Sequence, residues 1–168
     1  MKNCEIDGVS ELILRNRRSG KRVDMALLRR IARFLLEEVL ALDQYEIGVH
    51  LVGEPEMTRL NESFLGHKGS TDIITFDYLP APQPGHLHGD LFICIPVAAA
   101  QAREFGTTWQ SELTRYVGHG LLHLMGYDDH ASAKRRVMKV QEDRLLKAVT
   151  GRFPIEKLSS AKKVARHG

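Results

Sequence analysis

The sequence has few of the features that stabilise secreted or membrane-embedded proteins. Its 168 residues include two cysteines, Cys4 and Cys94, too few for a disulfide framework or a cysteine-rich metal site. No apolar run approaches the roughly 18 residues that a membrane span requires. Residues 1–20 place acidic side chains among the apolar ones, which is not typical of a signal peptide. We therefore expect a cytoplasmic protein with two reduced thiols, and no membrane partner.

Excess charge is absent from most of the chain and concentrated in two segments. The formal net charge is +3, yet residues 152–168 alone sum to +4 and residues 1–151 to −1. We interpret residues 1–151 as a single domain and residues 152–168 as a basic, flexible C-terminal tail. A second basic cluster follows the first predicted strand and comprises Arg15, Arg17, Arg18, Lys21 and Arg22. Such clusters favour a phosphate-bearing partner, although solvated surface segments have the same composition.

Hydrophobic periodicity predicts an α+β domain with its strands early and its helices late. Strands are predicted at residues 11–16, 46–51, 71–78 and 89–95, the last two paired across a surface loop at 79–88. Helices are predicted at residues 23–40, 53–64, 97–105, 108–125 and 131–149. The expected architecture is a small mixed sheet covered by helices.

The clearest chemical signal lies in residues 117–130, VGHGLLHLMGYDDH. His119 and His123 are four residues apart, so a helix projects both imidazoles from one face. Two imidazoles at this spacing can converge on one cation, and neutral imidazole suits zinc. Gly126 then ends the helix in a reversal that can return a third ligand to the same metal. The candidates for that ligand are Asp128, Asp129 and His130.

Glycines flank the first histidine inside this helix, at Gly118 and Gly120. Each costs about 0.5–1 kcal/mol relative to alanine, which indicates close packing or space for a substrate. Gly120 also occupies the position where H-E-x-x-H metallopeptidases carry their general base, which argues against peptide hydrolysis. Zinc chemistry also suits phosphodiester hydrolysis, in agreement with the basic clusters.

Several segments of the chain resemble the YbeY family of bacterial metal-dependent endoribonucleases. The stretch HGLLHLMGYDD is similar to the family signature H-G-x-L-H-L-x-G-Y-D-H, and Leu60-Asn61, residues 71–76 and residues 89–94 are similar to its L-N, T-D-V-L-S-F and G-D-I-x-I segments. The resemblance implies a zincin-like metal helix, one zinc ion per chain and cleavage of single-stranded RNA. It further implies a role in 16S rRNA 3′-end maturation and ribosome quality control, with the small ribosomal subunit as partner.

The chain departs from the family signature at the third metal ligand. The family's third histidine falls at Asp129 here, and His130 follows one place later. Because a carboxylate is a competent zinc ligand, we predict that His119, His123 and Asp129 bind the metal, with His130 as the alternative third ligand. The two histidines would then serve catalysis through the metal-bound water.

A second departure concerns contact with RNA. The family's Y-R-x-K segment corresponds to Phe64-Leu65-Gly66-His67, so Leu65 replaces its arginine. Phosphate contact is predicted instead from His67 and Lys68. The alternative interpretation is that both are ordinary loop residues without a role in binding. Two further functions stay open: a metallopeptidase-like hydrolase, and a noncatalytic zinc-containing factor associated with the ribosome.

Other polar residues in the matching segments permit two interpretations. Asp72 and Asp90 could orient a ligand histidine or cap a neighbouring backbone group. His86 and His88 form an H-x-H pair that we expect in a solvated loop and not in a second metal site.

Overall fold

The sheet of this domain is mixed, as predicted. The computed structural model describes residues 9–159, and within them four strands run in the spatial order β1-β2-β4-β3. The strands are β1 (Glu11–Arg17), β2 (Gln44–Val52), β3 (Ile73–Asp77) and β4 (His86–Cys94). Strand β2 is parallel to β1 and β4, whereas β3 is antiparallel to β4. The predicted pairing of the third and fourth strands is therefore confirmed.

Two helices alternate with the first three strands, and three more follow the last strand, as the hydrophobic periodicity predicts. They are α1 (Met25–Phe34), α2 (Glu54–Leu60), α3 (Ile95–Phe105), α4 (Trp109–Leu124) and α5 (Ser132–Thr150). Wider π-helical turns extend α1 through Leu35–Val39 and α2 through Asn61–Leu65. No helix within residues 9–159 combines the length and apolar composition needed to cross a membrane.

The two faces of the sheet pack against different helices. Alternate residues of β2, such as Ile47, Val49 and Leu51, join a core that includes buried residues of α1, α4 and α5. On the opposite face, Met57 of α2 packs in a smaller cluster with Val52. Because the side chains of a strand alternate between faces, this division decides which residues can approach α4.

The predicted surface loop at residues 79–88 is too long. Strand β4 begins at His86, where it pairs with Gln44 at the start of β2, and Leu87 is buried. The three prolines precede this point, so they do not interrupt the ladder. His86 and His88 consequently lie on a strand and not in the predicted loop.

The prediction of a flexible tail from residue 152 is wrong for residues 152–159. Phe153 packs edge-to-face on Phe34, with ring centroids 5.4 Å apart. Leu158 lies in a short 3₁₀ helix, Ile155–Ser159, and is 0% exposed. Its carbonyl accepts the Asp24 N–H at 2.8 Å, next to the start of α1. The segment is mostly basic, so its few apolar residues were not recognised in the sequence as anchors to the domain. Residues 160–168 and Cys4 lie outside the described part of the chain.

Candidate metal centre

Helix α4 presents its two histidines on one face, as their spacing predicts. The helix begins where the Thr108 hydroxyl oxygen accepts the Ser111 N–H at 3.2 Å, and Val117 and Leu121 bury its opposite face. The rings of His119 and His123 lie 4.7 Å apart between centroids and are inclined by 76°. Both imidazoles are partly buried, so they form a preorganised pair at the edge of the core.

The chain reversal after α4 follows from a glycine in the left-handed conformation. Gly126 has φ 101° and donates its N–H to the carbonyl of His123 at 2.9 Å. The Tyr127 N–H reaches the Leu122 carbonyl at 3.0 Å, which completes a Schellman motif. The chain then folds back toward the histidine face, and this brings Asp129 to it.

Asp129 completes a three-residue cluster with the histidines. Its Oδ2 atom lies 3.8 Å from Nε2 of His119 and 3.7 Å from Nε2 of His123. One ligand atom from each residue lies within 4.8 Å of the others. In a tetrahedral site, zinc bonds of about 2.0–2.2 Å place the ligand atoms about 3.3–3.6 Å apart, close to the two distances from Asp129. The donor set and its spacing therefore fit a zinc ion.

His130 lies apart from this cluster. Its side chain is 89% exposed, and its Nε2 atom is 3.6 Å from Oδ1 of Asp128. The same Asp128 oxygen accepts the His130 N–H at 3.0 Å, and this hydrogen bond lowers the pKa of the Asp128 carboxyl below its ordinary value. Asp128 thus shapes the turn. Among the described residues, the group that contains both helix histidines includes Asp129 and not His130.

Glu142 of α5 is a site residue that the sequence did not reveal. Its Oε1 atom accepts a hydrogen bond from Nδ1 of His119, on the side of the ring away from Asp129. The Glu142 side chain is 14% exposed, so solvent screens the pair only partly. A carboxylate bonded to one ring nitrogen fixes the imidazole and leaves the other nitrogen available to a metal.

Burial favours the metal-binding form of His123. The pKa of this imidazole lies below its ordinary value, first because burial penalises the charged ring. The second cause is electrostatic repulsion from the neighbouring His119 imidazole. Metal ions bind the neutral imidazole, so little competition from protons is expected at neutral pH.

Comparison with known proteins places the chain in a family. The family model described as Endoribonuclease YbeY matches residues 14–150. The chain belongs to the YbeY family. An Arthrobacter protein (strain FB24) named Endoribonuclease YbeY is 34% identical over 144 residues, which cover 82% of this chain and 92% of the relative. A Chlorobaculum tepidum protein of the same name is 38% identical over 125 residues, covering 74% and 88% of the two chains.

A solved structure shows the same fold. The solution structure of TM1509 from Thermotoga maritima superposes with a TM-score of 0.62 and 29% sequence identity. The match covers 90% of this chain and 100% of that one. The resemblance to YbeY proteins and the α+β fold inferred from the sequence are both confirmed.

The glycines around His119 serve helix packing in this YbeY-family chain. A Cβ atom at Gly120 would collide with the Leu91 side chain of β4, and it would lie 3.0 Å from Cδ1 of Ile73 in β3. A Cβ at Gly118 would lie 3.3 Å from Cδ1 of Leu145 in α5. Gly118 thus allows the close approach of α5, which carries Glu142 three residues before Leu145. The glycine that precedes His119 was the one signal in the sequence that another helix packs closely at this point.

Asp72, just before β3, and Asp90 of β4 have hydrogen-bond partners other than the two histidines of α4. Asp72 accepts the Ile73 N–H at 2.8 Å, which is the backbone-capping role. Asp90 follows the alternation of β4 and projects away from α4. Its carboxylate lies 3.0 Å from Nε2 of His50 and accepts the Tyr78 hydroxyl at 2.7 Å, which raises the Tyr78 pKa to about 12.

The H-x-H residues of β4 have separate partners. Nδ1 of His86 lies 3.0 Å from Oε1 of Gln83, whereas Nδ1 of His88 lies 3.3 Å from Oε2 of Glu46. Neither histidine belongs to a metal-capable cluster of three residues within residues 9–159.

The loop expected to contact RNA is anchored from within the fold. Asn61 is buried, and its side-chain amide donates to the Gly69 carbonyl at 2.9 Å. The loop leaves His67 and Lys68 exposed, and Leu65 is 50% exposed in place of the family's arginine. The buried asparagine accounts for the L-N segment of the sequence, since it fixes the path of the chain toward β3.

Proposed function

We propose that this YbeY-family chain is a metal-dependent endoribonuclease specific for single-stranded RNA. Its proposed role is 16S rRNA 3′-end maturation and ribosome quality control. The observation that carries the proposal is the cluster of His119, His123 and Asp129 at the end of α4, with Glu142 behind the first histidine. The relatives named as endoribonucleases supply the reaction class.

The proposed cofactor is one zinc ion per chain, held by His119, His123 and Asp129. Zinc, when bound, lowers the pKa of a coordinated water and polarises a phosphoryl oxygen. Glu142 accepts a hydrogen bond from Nδ1–H of His119 and holds the ring so that Nε2 faces Asp129. Asp129 lowers the net charge of the ligand set by one relative to a third histidine. We therefore expect a weaker Lewis acid than a site with three imidazoles would provide.

Substrate contact is proposed at the exposed loop that precedes β3. His67 and Lys68 can reach phosphates near β3, and their side chains are exposed. The proposed partners are single-stranded RNA, ribosomal RNA and the small ribosomal subunit, and the corresponding location is the cytoplasm. Where the family carries an arginine, Leu65 offers no charge, so these two residues have the larger share of the local contact.

Metal content and RNA cleavage, measured together, test the proposal. Wild type, Asp129→Ala and the neighbouring control His130→Ala would each be analysed for bound zinc and for cleavage of a single-stranded rRNA fragment. We expect about one zinc per chain, with zinc and cleavage lost in Asp129→Ala and kept in His130→Ala. The opposite pattern would make His130 the third ligand. Bound zinc without cleavage in wild type would favour a noncatalytic ribosome-associated factor, and cleavage of unfolded polypeptide would favour a metallopeptidase.

A further inference from the structure

A basic pocket lies away from the metal centre, between the end of β1 and the start of α2. Its volume is about 420 Å³. The pocket is lined by Arg17, Arg18, Gly53, Pro55, Glu56 and Arg59. We call it the arginine pocket. The first two arginines belong to the basic cluster that the sequence shows after the first strand, whereas the third comes from α2.

The arginine pocket keeps a net positive charge after its one internal ion pair is counted. Nη2 of Arg17 lies 2.9 Å from Oε1 of Glu56, so one arginine is matched by one carboxylate. Arg18 and Arg59 are exposed and add two further positive charges. Residues 12–23 contain no acidic side chain, and of the two acids in the first turn of α2, Glu56 is paired with Arg17 and Glu54 is exposed. Guanidinium groups present paired N–H donors that suit phosphate oxygens.

The turn that carries Arg18 is held in a fixed conformation. Ser19 is buried and donates its hydroxyl to Oδ1 of Asn16 at 2.6 Å, while the Asn16 amide donates to the Lys21 carbonyl at 2.9 Å. Arg18 itself has φ 51°, a conformation that side chains other than glycine and asparagine seldom adopt. The surrounding hydrogen bonds stabilise this strained residue and fix the backbone from which its exposed side chain extends.

Helix α2 runs from the arginine pocket toward the edge strand β3, on the face of the sheet opposite α4. A Cβ at Gly53 would lie only 2.9 Å from the Arg18 carbonyl oxygen, so the helix begins directly against the turn. The extension of α2 ends near β3, where Phe64 packs on Phe76 at 5.4 Å. The twelve residues 54–65 span about 18 Å at a rise of about 1.5 Å each. Strand β3 in turn packs under α4 beside Gly120.

We infer that the arginine pocket binds a backbone phosphate of single-stranded RNA several nucleotides away from the scissile bond. Because α2 and α4 lie on opposite faces of the sheet, an RNA strand at the metal centre would pass around the β3 edge at the loop of His67 and Lys68 and then follow the outer side of α2 to this second contact. The inference rests on the proposed function for the identity of its ligand. It predicts that a long RNA gains affinity from Arg18 and Arg59, whereas a short one does not reach them.

The test compares RNA of about 16 and about 4 nucleotides, bound by proteins that differ at the arginine pocket. The double variant Arg18→Gln/Arg59→Gln removes two charges, and Arg103→Gln/Lys147→Gln removes two exposed charges elsewhere. Fluorescence anisotropy would be recorded over a salt series in the His123→Ala background to prevent cleavage during the measurement. Circular dichroism verifies the fold of every variant, and KM for both RNAs is measured with His123 intact.

The expected result is a loss of roughly tenfold in affinity for the long RNA, with the magnitude of the salt slope lower by about 0.7 for the one lost phosphate contact. KM for the long RNA should rise, with no change for the short RNA or in the control variant. Arg18→Lys/Arg59→Lys should restore the salt slope, because lysine also pairs with phosphate. Unchanged long-RNA affinity, or an equal loss for both RNAs, would overturn the inference. Arginine-dependent binding by a wild type that cleaves no RNA would uphold the pocket and refute the proposed nuclease.

Discussion

Replacing Glu142 by glutamine tests whether a second helix tunes the metal centre. The side chain keeps its shape but loses the negative charge that faces Nδ1 of His119. Both partners are mostly buried, so water replaces the lost interaction poorly. Removal of a carboxylate that is hydrogen-bonded to a metal-binding histidine typically reduces metal affinity by about 10- to 100-fold, which corresponds to about 1.4–2.8 kcal/mol.

Competition against a chromophoric zinc chelator would measure this loss directly. Asp143→Asn provides a matched control, because Asp143 is the next residue of α5 and pairs instead with Arg115 at 3.0 Å. We expect weaker zinc binding in Glu142→Gln, near wild-type binding in Asp143→Asn, and similar unfolding transitions for both. Equal zinc affinity in Glu142→Gln and wild type would refute the role assigned to the carboxylate.

Two further predictions concern the packing that positions the site. Gly120→Ala forces a methyl group into Leu91 and should destabilise the protein by about 1–3 kcal/mol, whereas Gly118→Ala, with its nearest neighbour at 3.3 Å, should change stability far less. Urea denaturation would distinguish them, and equal stability would contradict the packing explanation. Leu158→Ala should lower the free energy of unfolding by about 2–5 kcal/mol, compared with little change for the exposed neighbour Lys157→Ala. A Leu158→Ala protein as stable as wild type would show that residues 152–159 do not anchor the fold.

Local patterns in the sequence determined much of this protein. Alternating apolar residues predict the strands, and the helical spacing of His119 and His123 predicts their shared face. Gly126 predicts the reversal after α4, since a left-handed residue ends a helix in a Schellman motif. These features depend on neighbours a few residues away, so they are visible without a fold.

Tertiary structure alone decided the features that depend on distant parts of the chain. Nothing in the sequence of α5 distinguishes Glu142 from other surface glutamates; its role arises because Gly118 lets α5 approach α4 closely. Leu158 is one apolar residue in a basic segment, and its burial depends on a contact with the start of α1. Asp90 matches a family segment, yet strand alternation places it on the face opposite α4. The periodicity of the sequence specifies which face of a strand or helix a side chain occupies. Only the packing of the elements specifies which other residues contact that face.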